Sequence, residues 1–139
     1  NAMKNYYPGD MYVDWLGVSC YPPSLSATYP EERRYPLTLM QGIKQVSADK
    51  PIMISEGGYS STCDHQRWVR EWFKLKDEEP RVKAVVWENH ENAENGDRRL
   101  QSDPLALELY KELVQDPYWL DLIPDAVYSE IETRKNNSK

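Results

Sequence analysis

Three short apolar runs, each closing on polar or aromatic residues, constrain this chain more than any other feature. They are Trp15-Leu-Gly-Val-Ser19, Ile52-Met-Ile-Ser55 and Val82-Lys-Ala-Val-Val-Trp87. A strand that is apolar on both faces belongs in the interior of a parallel sheet. The stretches that separate and follow the runs have a different period. Leu39, Ile43 and Val46 recur at helical spacing after Pro36, which suits a helix N-terminus. Trp68, Val69, Trp72 and Phe73 do the same between Asp64 and Pro80, and Leu105, Leu109 and Leu113 follow the Asp103-Pro104 start signal. The order is therefore β-α-β-α-β-α, which means an α/β fold with right-handed crossovers and parallel strands.

The remaining segments read as connections. Tyr6-Tyr-Pro-Gly-Asp10 is a turn signal, with a short helical turn expected from Met11 to Asp14. Ser24 to Tyr35 is polar and proline-containing, so it reads as a loop, and the second helix is expected to start between Thr62 and Asp64. Asn89 to Gln101 is polar and contains Gly96, which makes it a loop as well. Leu120 to Ile123 and Val127 to Ile131 carry enough apolar residues for a short helix, and Arg134 to Lys139 reads as a disordered tail. Asn1-Ala-Met3 resembles an expression scar ahead of a start methionine. The expected organisation is thus 1–3 scar, 4–119 folded unit and 120–139 C-terminal extension.

Parallel strands place their C-terminal ends on one edge, where α/β sheets and β/α barrels build ligand sites. Three sets of residues converge there: Ser19-Cys20-Tyr21, Glu56-Gly57-Gly58 and Trp87-Glu88-Asn89. Glu56 stands out, because a lone carboxylate ends an apolar strand and two glycines then let the chain turn and a substrate approach. A strand end that simply faces solvent is the plainer alternative.

Composition narrows the partners. The formal net charge of -6 argues against nucleic acid, which needs clustered cations. No apolar run approaches the length of a membrane span, and no signal peptide is visible. With 10 Tyr and 5 Trp against 1 Phe, the chain is rich in rings that pair a flat apolar face with a polar edge, a chemistry that suits sugars. Cys20 and Cys63 are too few for a disulfide framework and read as free thiols. His65 and His90 are isolated in sequence, so no metal and no cofactor is implied.

Tyr7-Pro-Gly-Asp-Met-Tyr-Val-Asp-Trp-Leu-Gly-Val-Ser-Cys-Tyr21 resembles the sixth-strand region of family-26 glycoside hydrolases, the β-mannanase type. Lys50-Pro-Ile-Met-Ile-Ser-Glu-Gly-Gly58 and Lys83-Ala-Val-Val-Trp-Glu-Asn89 resemble the seventh and eighth strands of that family, in motifs shared across the retaining β/α-barrel glycosidases. The resemblance implies the last three βα units of a TIM (β/α)8 barrel, a partial barrel acting on a β-linked polysaccharide such as mannan, secreted or periplasmic. Glu56 would be the nucleophile, Tyr21 its hydrogen-bonding support, and Trp87 the platform under the sugar. Ser19 and Glu88 stand where the family often has Asp and an aromatic residue, so both would alter substrate contacts.

Retaining glycosidases need two carboxylates about 5–5.5 Å apart. The acid/base Glu of this clan lies after the fourth strand, outside the matched region. Glu88, Glu91 and Glu94 are the carboxylates close in sequence to the site, and Asp97-Arg98-Arg99 reads as either a polar contact segment or a surface charge cluster. The expectation is a chain that is not active alone and that self-associates through an exposed strand edge. The alternative is a degenerate, non-catalytic carbohydrate-binding or structural fragment.

Overall fold

The computed structural model describes residues 2–22, 36–61, 63–92 and 96–120. The loop expected between Ser24 and Tyr35, Thr62, Glu94 and the expected C-terminal extension from residue 121 lie outside those residues.

The expected strands are present, as β1 (Leu16–Cys20), β2 (Ile52–Gly57) and β3 (Val82–Trp87). They form one parallel sheet in the order β1-β2-β3. Leu16, Ile52, Ile54 and Val82 pack in a single core with Met40, Ile43, Trp68, Val69, Trp72 and Leu75 from the helical segments. That core lies against one face of the sheet. On the other face Gly17 and Ser19 are exposed, Met53, Ser55 and Ala84 are half-buried, and Val86 is 47% exposed. Among the described residues the sheet is therefore covered on one side only.

Helix α1 (Pro36–Leu39) starts where Pro36 predicts, then tightens into a 3-10 turn over Met40–Gln45 instead of continuing. Gly42 sits inside that turn, where its backbone freedom disfavours a regular helix by about 1 kcal/mol. Helix α2 (His65–Glu78) is the longest helix among the described residues. Its Asp64 cap accepts from the Arg67 amide at 2.9 Å, and Trp68, Val69, Trp72, Phe73 and Leu75 are buried.

Helix α3 (Pro104–Leu113) is capped by Asp103, whose carboxylate accepts from Leu105 N at 3.0 Å and Ala106 N at 3.1 Å. Of the expected stripe, Leu109 and Leu113 pack against the core. Leu105 is 67% exposed, and Ala106 is fully buried. A ladder of i+4 steps drifts about 40° per step around a helix, so Leu105 lies at the edge of the stripe, whereas Ala106, seven residues before Leu113, lies within it.

Three local departures complete the fold. Met11–Asp14 is a turn, not helix: Tyr12 N bonds Gly9 O at 3.0 Å, with Gly9 at a φ of 108°. A short 3-10 helix spans Ala2–Tyr6, and the Met3 thioether lies beside Gly42. The expected loop after β3 folds back as a hairpin of β4 (Glu91–Asn92) and β5 (Gly96–Asp97), with Gly96 at a φ of 87°. No helix among the described residues is long and apolar enough to cross a membrane.

Candidate active site

Glu56 owes its position to an irregularity in β2. In a regular strand, residues 52, 54 and 56 share one face. Ile52 and Ile54 are fully buried on the helix side, so plain alternation would drive the Glu56 carboxylate into the core. The register prevents this. Val18 pairs with Ile54 but Ser19 pairs with Glu56, and on the other side Ile54 pairs with Val85 while Gly57 pairs with Trp87. Ser55 and Glu56 therefore form a bulge against both neighbours. Gly57 takes the helix-side position, and Glu56 comes out exposed on the rim. Bulges are a common way to re-aim a side chain beside a site. The Ser19 hydroxyl donates to Glu56 Oε1 at 3.2 Å, across the β1–β2 pair.

Gly57 makes room for this arrangement. A Cβ on it would run into the Trp72 ring and stand 2.5 Å from the Cys20 carbonyl oxygen. Its φ is not positive, so the requirement is close approach and not a special backbone conformation.

Glu88 extends β3 by one ladder bond, donating its amide to Gly57 O at 2.8 Å. Its carboxylate is the hub of a polar cluster. It pairs with the guanidinium of Arg98, with His90 Nδ1 at 3.1 Å and with the Tyr21 hydroxyl. Burial pushes the Glu88 carboxyl up, but the Tyr21 hydroxyl, the Arg98 charge and His90 outweigh it and hold it below the usual range. Burial also drives the Tyr21 phenol well up, reinforced by its bond to Glu88 and by the charges of Glu88 and Glu56. Tyr21 was expected to bond Glu56. Its hydroxyl instead pairs with Glu88, and Glu56 acts on it only through charge.

Trp87 lies on the helix-covered side of β3 with Val85. Its ring meets Tyr59, Trp72 and Tyr110 edge-on, at centroid distances of 5.3, 5.4 and 5.7 Å, and its Nε1 donates to Arg98 O at 3.1 Å. That packing makes it a half-buried wall behind the site. The residues brought together at the rim are Ser19, Tyr21, Glu56, Glu88, His90 and Arg98. Neither histidine is isolated in space, since His65 bonds Asp103 Oδ2 at 2.9 Å. No group of three His, Cys, Asp or Glu among the described residues is placed to hold a metal.

Arg98 is the member that sequence reasoning does not separate from the Asp97-Arg98-Arg99 run, which reads as either a polar contact segment or a surface charge cluster. The sign that could have found it is Gly96, two residues earlier, whose left-handed backbone turns the segment back over the strand ends.

Chemically, the rim offers one exposed carboxylate with a hydroxyl donor and a second carboxylate kept ionised by a buried cation. The first suits a nucleophile or base, and the second suits an acceptor of hydroxyl hydrogen bonds.

No family model matches the chain. It is similar to Endoglucanase H of Acetivibrio thermocellus, with 29% identity over 113 residues. That match covers 78% of this chain and only 12% of the length of the relative.

Proposed function

We propose that the chain is the C-terminal part of a retaining glycoside hydrolase that cleaves a β-linked polysaccharide, and that its three βα units close such a barrel. Glu56 is the nucleophile in this reading. The observation that carries it is the β2 bulge, which turns one carboxylate out of the core onto the strand-end rim beside Ser19 and Tyr21. The likeness to an endoglucanase supports the glycan-cleaving class. The family-26 motifs favour a β-glucan or β-mannan backbone.

In the reaction, Glu56 attacks the anomeric carbon, the glycosidic oxygen leaves, and a glycosyl-enzyme forms that water later opens. The leaving oxygen needs a proton. Glu88 is a poor donor, because its partners keep it ionised, and in this reading the acid comes from the part of the barrel that carries the fourth strand. The open sheet face and outer strands then pack against the part of the barrel that carries the acid, or against a second copy of the chain.

Activated glycosides bypass the missing acid, because a dinitrophenolate leaves without protonation. Incubating the chain with dinitrophenyl 2-fluoro-glycosides of β-gluco and β-manno type should give one glycosyl adduct by mass spectrometry, mapped to Glu56 and absent in Glu56→Gln. A folded chain that gives no adduct with either series, or one on another residue, overturns the assignment.

A further inference from the structure

We infer that Arg98 is the positioning residue of this site: it holds Glu88 and Tyr21 in the geometry that receives the hydroxyl groups of the substrate. The inference deepens the proposed hydrolase reading and rests on it.

Arg98 is only 8% exposed, which is unusual for a charged side chain on a short hairpin. It touches the end of every strand. Its guanidinium carbon lies 4.2 Å over the Tyr21 ring, after β1. Its Cβ and Cδ lie beside Gly58, each 3.6 Å from where a Cβ would stand, after β2. Its Nη1 pairs with Glu88, and its carbonyl accepts from Trp87 Nε1, at the end of β3. Its amide donates to His90 O at 3.1 Å, which ties the hairpin to the same rim.

As a stability device this arrangement is poor. Its Nε is buried without a partner among the described residues, and a buried ion pair stabilises weakly compared with apolar packing. Unsatisfied buried donors persist where a site needs them. The guanidinium does two things at once: it lies over the Tyr21 ring while its Nη1 fixes a carboxylate, a combination that Lys does not reproduce. Three groups face Glu88, namely Tyr21, His90 and Arg98, and the charge of Glu56 acts on the same Tyr21. The result is a rigid, charged acceptor next to the nucleophile, suited to gripping a sugar hydroxyl in a charge-assisted hydrogen bond.

The experiment compares wild type with Arg98→Lys, Arg98→Gln and Glu88→Gln. Circular dichroism and urea melts check the fold. Carboxyl-carbon NMR follows the Glu88 titration, calorimetry follows binding of β-linked gluco- and manno-tetrasaccharides, and mass spectrometry follows Glu56 labelling. Glu88→Gln should keep the fold and weaken oligosaccharide binding about tenfold or more, the loss expected for a hydrogen bond to a charged group. Arg98→Gln should raise the Glu88 titration and weaken binding at least as much. Arg98→Lys should restore the charge, and so the titration, while binding stays weak because Lys cannot stack on Tyr21. If Arg98→Gln fails to fold, Arg98→Lys and Glu88→Gln carry the test.

Unchanged binding in Glu88→Gln, or full recovery of binding by Lys, would overturn the inference while Glu56 labelling still upholds the hydrolase reading. A wild type that neither labels nor binds sugar overturns both.

Discussion

Gly57 and Gly58 are adjacent, neither has a positive φ, and the structure assigns them opposite tolerance to a methyl group. In Gly57→Ala the new Cβ would stand 2.5 Å from the Cys20 carbonyl and 2.7 Å from Trp72 Cζ3. Ordinary contact begins near 3.4 Å, so about an ångström must be found. The carbonyl is backbone in a paired strand, and Trp72 is fully buried, so neither can swing away. Overpacking of this kind costs about 3 kcal/mol. With a urea slope of about 1.5 kcal/mol/M, the midpoint should fall by about 2 M.

Gly58→Ala meets nothing closer than 3.4 Å, from Glu88 O. Its small crowding is offset by about 0.4–1 kcal/mol of lost unfolded-state entropy, so the net change should stay within about 1 kcal/mol. Urea melts followed by tryptophan fluorescence, with the slope fitted for each variant, make the comparison. Equal midpoints, or a lower one for Gly58→Ala, would refute the claim that close approach at Gly57 shapes the site.

Glu56→Gln should abolish labelling by activated glycosides yet shift stability by no more than about 0.5 kcal/mol in the same melts, because the side chain is exposed. Asp103→Ala removes the α3 cap and the partner of His65, and should cost about 1–2 kcal/mol in urea. The bond from Ala106 N, despite opposing burial and with help from His65, holds the Asp103 carboxyl below its ordinary value. A depressed carboxyl contributes stability above its unfolded pKa of about 3.9 and loses it as pH falls through the folded value. Acid unfolding of the wild type should therefore steepen below about pH 4, and less so in Asp103→Ala. Burial pushes the Cys20 thiol up to about 12 and the Cys63 thiol up to about 11. Iodoacetamide at pH 8 should leave both nearly untouched in the folded chain, with Cys63 the faster because it is less buried, and alkylate both rapidly in urea.

The elements that were legible in the sequence depend on local chemistry. Buried Trp68, Val69, Trp72 and Phe73 declare α2 by spacing alone, and Asp103-Pro104 marks the start of α3 through an amide bond two residues away. The features that were not legible depend on partners distant in the chain. Whether Glu56 faces core or rim is decided by its register against Ser19 and Trp87, 37 and 31 residues away. The facing of Trp87 is decided the same way, since a second register shift between Ile52 and Met53 leaves Lys83 unpaired and puts Val85 and Trp87 on the covered side. Arg98 was obscured because one-dimensional context gives it the same polar neighbours as the exposed Arg99, while burial comes from three strand ends at once.

The bulge at Ser55–Glu56 makes strand pairing a determinant of chemistry. The same residues paired without the bulge have the same hydrophobicity and composition, but the reactive group is on the opposite side. Straightening the strand with all its residues kept would restore plain alternation and swing the carboxylate toward Trp72, whereas deleting Ser55 would absorb the bulge against β1 and leave Glu56 opposite Ser19 on the rim. The straightened sheet would be more regular and the protein worse, with a charge sealed among indole rings. In comparisons between relatives, a one-residue gap should accordingly be tolerated at the bulge and avoided between Ile52 and Ile54, where it would turn one of the two buried side chains out of the core.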